Sequence, residues 1–245
     1  CSVMTMKMDA LPRGRASIFI VVAEQIEEVM KHFTLLERLP GEDIDARLRF
    51  LQRNSLFVGQ HIRIRDLSER MAQGNMVVLP KLVLLPGRSE TVEQRETNIN
   101  ANQDNFIISG GAVIQNYRLT GQMDDHDLVC FHLLAGERGQ HTKKFHLNGK
   151  ELTVTIQPVF YKQTVALQNQ RPVVTIHLDI ELSISRAIEF VPETYQGFLD
   201  LEQQVERTLE DELTAFYHKA KEKGWDVIGM KDILRRNLPD YKPGD

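Results

Sequence analysis

Within the stretch Pro172 to Ile188 the chain alternates: Val174, Ile176, Leu178, Ile180, Leu182 and Ile184 fall on one side of an extended backbone, and Thr175, His177, Asp179, Glu181, Ser183 and Ser185 on the other. Two is the side-chain period of a strand, and a helix would scatter the same residues around its axis. Six matches in a row predict a long antiparallel strand with one face in a core and one in water. Such a strand needs something to cover its apolar face. The next segment supplies it. A helix over about 192–223, opened by Pro192, carries Phe198, Leu201, Val205, Leu209, Phe216 and Ala220 on one side, with Glu202, Glu206, Arg207, Glu210, Lys219 and Lys221 elsewhere. Gly224 stops it, 225–230 crosses back, Lys231 to Asn237 makes a short last helix, and Pro239 ends the order.

Two more hairpins precede this unit. Asn148-Gly149 is a type I′ turn signal between strands Lys143 to Leu147 and Glu151 to Leu167. Ile107 to Gln115 and Tyr117 to Met123 read as a hairpin around Asn116, with Gly110-Gly111 permitting a bulge or a close backbone approach. Asp124, Asp125 and Asp127 sit where the positive end of a helix would lie, ahead of Leu128, Phe131 and Leu134, and Gly136 closes that helix.

The first part of the chain mixes strands and helices. Ser17 to Ala23 reads as a buried strand, and Glu24 to Phe33 as a helix through Ile26, Val29, Met30 and Phe33. Ile44, Leu48 and Leu51 mark a second helix ending near Asn54. Asp66 and Glu69 form a capping-box pattern for a third, Leu67 to Gln73. Val77 to Leu85 returns to strand, and Pro80 and Pro86 predict an edge or terminal position for it. From Gly87 to Asn105 only Val92, Ile99 and Ala101 are apolar, so this stretch cannot stay packed. The expected architecture is α+β in two domains. Residues 1–87 form an α/β domain, 88–105 a polar linker, and 106–245 an antiparallel sheet packed on the long helix.

Charge narrows the function. With 30 basic and 34 acidic residues interspersed along 245, the net charge is −4 and no broad positive field exists to hold nucleic acid. The longest apolar run, Ile18 to Ala23, falls far short of the roughly 20 residues that cross a bilayer as a helix. No P-loop, GxGxxG, HExxH, CxxC or GxSxG occurs. Asp124, Asp125, His126, Asp127 and His132 come nearest to a metal set, but His126 and His132 are separated by about 600° of helical rotation, and solvated charges at a helix start account for them. His141 and His146 read as surface residues. His177, Asp179 and Glu181 read as the solvent face of the sheet, with a polar site on that face as the enzymatic alternative. No catalytic, cofactor-binding or metal-binding residue is therefore expected. Cys130, inside Leu128-Val129-Cys130-Phe131, reads as a buried inert thiol. Cys1 stands where an initiator Met would. It fits either the first residue left after a signal segment is cut away, as in a bacterial lipoprotein, or an internal residue of a longer chain.

One set of motifs is familiar. The stretch from Asp226-Val227-Ile228-Gly229-Met230 to Asp232-Ile233-Leu234-Arg235-Arg236-Asn237-Leu238-Pro239, following a long charged helix, resembles the terminal motif of the GerAC-type (Ger(x)C) spore germination receptor C subunits. Gly111-Ala112-Val113-Ile114 and Arg118-Leu119-Thr120-Gly121-Gln122-Met123, ahead of an acidic helix start, are similar to a second family segment. Lys231 replaces an expected Gly, Tyr241 replaces the usual Trp, and Cys1 is followed by Ser2-Val3-Met4 rather than by the family's amino-terminal domain.

The resemblance implies a non-enzymatic lipoprotein subunit of a nutrient germinant receptor, without cofactor. It further implies tethering to the outer face of the spore inner membrane by a diacylglyceryl-type anchor on Cys1, beside integral membrane A- and B-type subunits. The alternative is a small-ligand-binding or sensor protein using an inter-domain cleft.

Overall fold

The computed structural model describes residues 2–7, 18–27, 40–54, 59–60, 62–84, 106–147, 150–169, 171–186, 192, 194–238 and 241. They form two compact units, divided between Leu128 and Val129.

The first unit is built on a five-stranded sheet of order β1-β2-β3-β4-β5: Ser2–Lys7, Ile18–Ala23, Val77–Leu84, Phe106–Gln115 and Arg118–Met123. Only β2 and β3 run parallel; the other neighbours are antiparallel. Helix α1 (Pro40–Asn54) covers one face, packing Ile44 and Leu48 on Val21, Ala23, Leu82 and Ile108. On the opposite face Met71 and Leu67 of helix α2 (Ile64–Ala72) pack with Ile20, Val22, Val77, Leu79 and Ala112. Burial on both faces is why β2 is a continuous apolar run rather than an alternating one.

Three expectations need correction here. The boundary expected over 88–105 lies outside the described residues, and the strands on either side of it, β3 and β4, pair with each other. Ladder hydrogen bonds therefore place residues 106–128 in the first unit. Nor is β3 an edge strand; it is central. Pro80 is tolerated because its missing N–H falls on the edge where the Val78 carbonyl accepts from Gln60 N–H, and where pairing to β2 begins only at Lys81. Helix α2 starts earlier than the Asp66/Glu69 pattern predicts. Arg63 is its N-cap, without a side-chain cap, and Asp66 contributes charge to the first turn. The helix predicted over Glu24 to Phe33 falls mostly outside the described residues.

The β4–β5 hairpin turns at Asn116 and Tyr117, both with positive φ (49° and 61°), the pair of left-handed residues a type I′ turn demands. The register of β4 on β3 shifts between Pro80/Gly111 and Leu82/Ile108, with Ser109 and Gly110 as the bulge. Gly110 has φ +73°, and a Cβ there would sit 2.7 Å from the Met123 carbonyl oxygen. At Gly111 a Cβ would strike Val78, so the glycine pair serves both as bulge and as close approach.

The second unit is a three-stranded antiparallel sheet of order β6-β7-β8: His141–Leu147, Lys150–Gln168 and Arg171–Arg186. Helix α4 (Tyr195–Glu222) lies on its apolar face. Leu201, Val205 and Leu209 pack on Phe145, Leu152, Val154 and Ile156, with Ile180, Leu182 and Ile184 alongside. Of the alternating residues, Ile180, Leu182 and Ile184 are the ones that pack, half-buried, against the core under α4. Phe198, expected on that side, stays 42% exposed in the first turn. Thr194 caps α4 by accepting from Gly197 N–H at 3.1 Å. On the β6 side, Lys143 pairs with Glu212, and Gln204 donates to the His146 carbonyl at 2.7 Å. The last helix, α5 (Met230–Asn237), is nucleated by Asp226, whose carboxylate accepts from Met230 and Lys231 N–H at 2.6 and 3.1 Å. The Asn148-Gly149 turn lies outside the described residues.

Candidate functional site

Helix α3 (Asp125–Leu134) begins at the acidic cluster. Asp124 accepts from Asp127 N–H at 2.8 Å, an N-cap bond, and Asp125 turns back to the bulge, accepting from Gly110 N–H at 2.7 Å. His126 is exposed at the helix start, while His132 is 5% exposed in the last turn. Asp124 is thus spent on the helix cap, Asp125 on the bulge and His132 on packing, and among the described residues no group of three His, Cys, Asp or Glu converges as a metal set would. Cys130 is buried, as its neighbours predict. Cys1 lies outside the described residues.

The polar face of β8 holds His177 and Asp179 at 3.0 Å, 67% and 53% exposed. The ring of Phe160, on the neighbouring strand, meets His177 edge-on. On β6 and β7, His146 is exposed, and Lys144 bonds Glu151 at 2.8 Å, which holds the Glu151 carboxyl below its ordinary range. Burial pushes the Tyr161 hydroxyl above its ordinary value; it donates to the Leu134 carbonyl at 2.9 Å.

A concavity of this unit lies between β8 and α4, a groove of about 820 Å³. Its floor is apolar, built from Leu178, Ile180, Val205, Leu209 and Leu213, with Leu133 and Leu134 also lining it. Its rim is acidic. Glu202, Glu206 and Glu210 form one row along α4, each four residues from the next, and Asp179 and Glu181 line the strand side. Among the described residues, no Lys or Arg lines the groove. The sequence contained a signal for this row: three glutamates, each one position beyond Leu201, Val205 and Leu209. Which strand edge that row borders could be known only once β8 was placed outermost in the sheet.

A family model described as Spore germination B3/GerAC like, C-terminal, matches residues 109–244, more than half of the chain. Among solved structures, the crystal structure of the GerBC protein shares the fold with a TM-score of 0.58 at 16% identity. The match covers 74% of this chain and 53% of that one, so this chain spans about half that protein's length. No curated protein matches.

Proposed function

Because the chain belongs to the Spore germination B3/GerAC-like family, we propose that it serves as a non-enzymatic subunit of a spore nutrient germinant receptor, acting by contact with integral membrane A- and B-type subunits. The observation that carries this reading is the family match over residues 109–244, which runs through the bulge-forming Gly110, the acidic start of α3, the long helix α4 and the Asp226 turn. The character of the polar groups supports it. His177 and Asp179 are solvated on an open sheet face, where neither is desolvated as a catalytic acid or base usually is.

Among the described residues no helix is long and apolar enough to cross a membrane. We assign attachment to a lipid on Cys1, at the outer face of the spore inner membrane. Two or more acyl chains on one cysteine hold a protein stably where a single chain would not. The test is fractionation of spore inner membranes from cells making the protein from its own gene, as wild type and as Cys1→Ala. The reading expects the wild type in the membrane with integral partners and the variant in the soluble fraction. A wild type that brings down no integral membrane protein would overturn the contact role. A variant that fractionates like the wild type would overturn the anchor alone.

A further inference from the structure

The groove beside α4 is open along a strand edge. β8 is bonded to β7 on one side, and among the described residues no strand pairs with its other side. Alternate N–H and C=O groups of residues 176–182 therefore point outward. Free edges are commonly blunted by Lys, Pro, a bulge or brevity. Residues 173–184 contain neither Lys nor Pro. The extra residue at the Pro158/Phe160 irregularity belongs to β7, leaving β8 regular along the groove. Among the described residues of the groove, the acids Asp179 and Glu181, with His177 beside Asp179, and the α4 glutamates guard this edge.

We propose that the groove receives an extended, basic segment of a partner protein, which adds to β8 as a fourth strand and sets alternate Lys or Arg side chains against the glutamate row of α4. The spacing fits. Residues four apart on a helix are separated by about 6 Å along the axis, and alternate residues of a strand by about 6.8 Å. Over three glutamates the two rows drift by less than ~2 Å, well within the reach of a flexible basic side chain. Lengths also agree, since residues 176–182 span about 20 Å as strand and 202–213 about 17 Å as helix. A basic residue facing α4 lays its methylene stem over Leu178, Leu209 and Leu213 and carries its cation to the rim. Residues of the opposite phase meet Asp179 and Glu181 across the strands.

Charge selects this occupant. A second copy of the chain, pairing through its own β8, would bring Asp179 and Glu181 against the same acids. A docked helix would leave the outward N–H and C=O groups unmatched. The proposal rests on the contact reading above for the partner's setting, and the binding is tested on the protein alone.

The probe is a fluorescein-labelled peptide, acetyl-Lys-Val-Lys-Val-Lys-Thr-Lys-Val-amide, titrated with the full chain by fluorescence anisotropy. Binding is expected, weaker at about 300 mM than at about 50 mM salt. The Glu202→Gln, Glu206→Gln, Glu210→Gln triple variant should bind about tenfold more weakly. The same peptide N-methylated at alternate amides should not bind, because methylation blocks strand pairing without changing charge. The proposal is overturned if the basic peptide fails to bind, if a glutamate-for-lysine peptide binds as well, or if the N-methylated peptide binds equally. An unchanged affinity in the triple variant, its fold checked by circular dichroism, has the same consequence; if the variant misfolds, the N-methylated peptide on the wild type decides. Capture from spore membranes separates the two levels. A wild type without membrane partners defeats the contact reading, whereas partners retained in full by the triple variant defeat this proposal alone.

Discussion

The Asp125 carboxylate takes the backbone N–H of Gly110 at 2.7 Å, and its two oxygens accept from the Ser109 hydroxyl at 3.0 and 3.1 Å. A bulge takes backbone groups out of the ladder, and the first turn of α3 supplies a charge to one of them. Asp125→Ala should destabilise the protein by about 1–3 kcal/mol, and Asp125→Asn by less, since the amide oxygen can still accept. Urea unfolding of the three proteins checks it. Equal midpoints would mean that water replaces the carboxylate at no cost.

Two helix-ending glycines should respond differently to one substitution. Gly136 and Gly224 have φ of +71° and +69°, and the residue after each donates five residues back, from Glu137 N–H to the His132 carbonyl and from Trp225 N–H to the Ala220 carbonyl. A Cβ at Gly224 meets open space, whereas one at Gly136 would lie 2.5 Å from the Tyr161 ring. Gly224→Ala should therefore cost about 1 kcal/mol, the left-handed backbone penalty, and Gly136→Ala upwards of ~2 kcal/mol as the ring is displaced. Adding Tyr161→Leu to Gly136→Ala should recover part of the difference, measurable in the same denaturant series.

Lys81 reaches Glu24 at 2.8 Å, and that hydrogen bond, with the attraction between the charges, lowers the Glu24 pKa below its ordinary 4.5. A carboxyl depressed in the fold contributes stability that is fully present above its unfolded pKa and is lost as pH falls through the folded value. Glu24→Gln should therefore be less stable than wild type at neutral pH and converge on it below the ordinary value. Because Glu24 is 58% exposed, the gap should be small and should shrink with salt. A gap that persists unchanged at acid pH would show that the charge plays no part.

Cys130 is 2% exposed, within a buried run that includes Leu128, Val129 and Phe131. Its thiol should resist an aromatic disulfide reagent until the unit opens, with a labelling rate that rises in parallel with denaturant unfolding. Mass analysis of the peptide carrying Cys130 gives the rate at that residue. Fast labelling in native buffer would mean that α3 opens locally.

Local pattern made much of the second unit legible. Alternation from Val174 to Ile184 and the stripe Leu201, Val205, Leu209 each report a single apolar face, and Ile180, Leu182 and Ile184 of the first proved to pack on the core that holds the second. Asn116, Gly136 and Gly224 were legible because left-handed backbone restricts what residue can stand there. Pro80 misled because the rule against proline in central strands concerns the N–H that a neighbour would use, and no neighbouring strand uses this one. The polar stretch before Phe106 misled similarly. Composition reports whether a segment packs, not whether the strands at its ends find each other.

By itself the sequence determined the elements, their buried faces, the turns that need unusual backbone, and the absence of a familiar catalytic signature, because each is written in residues near one another. Only the tertiary structure decided the strand order, since pairing joins segments far apart in the chain and no period records it. That order put β3 at the centre of one sheet and β8 at the edge of the other. It also turned three helix glutamates into the rim of a groove, because a row of charges borders a groove only when an apolar floor lies beside it.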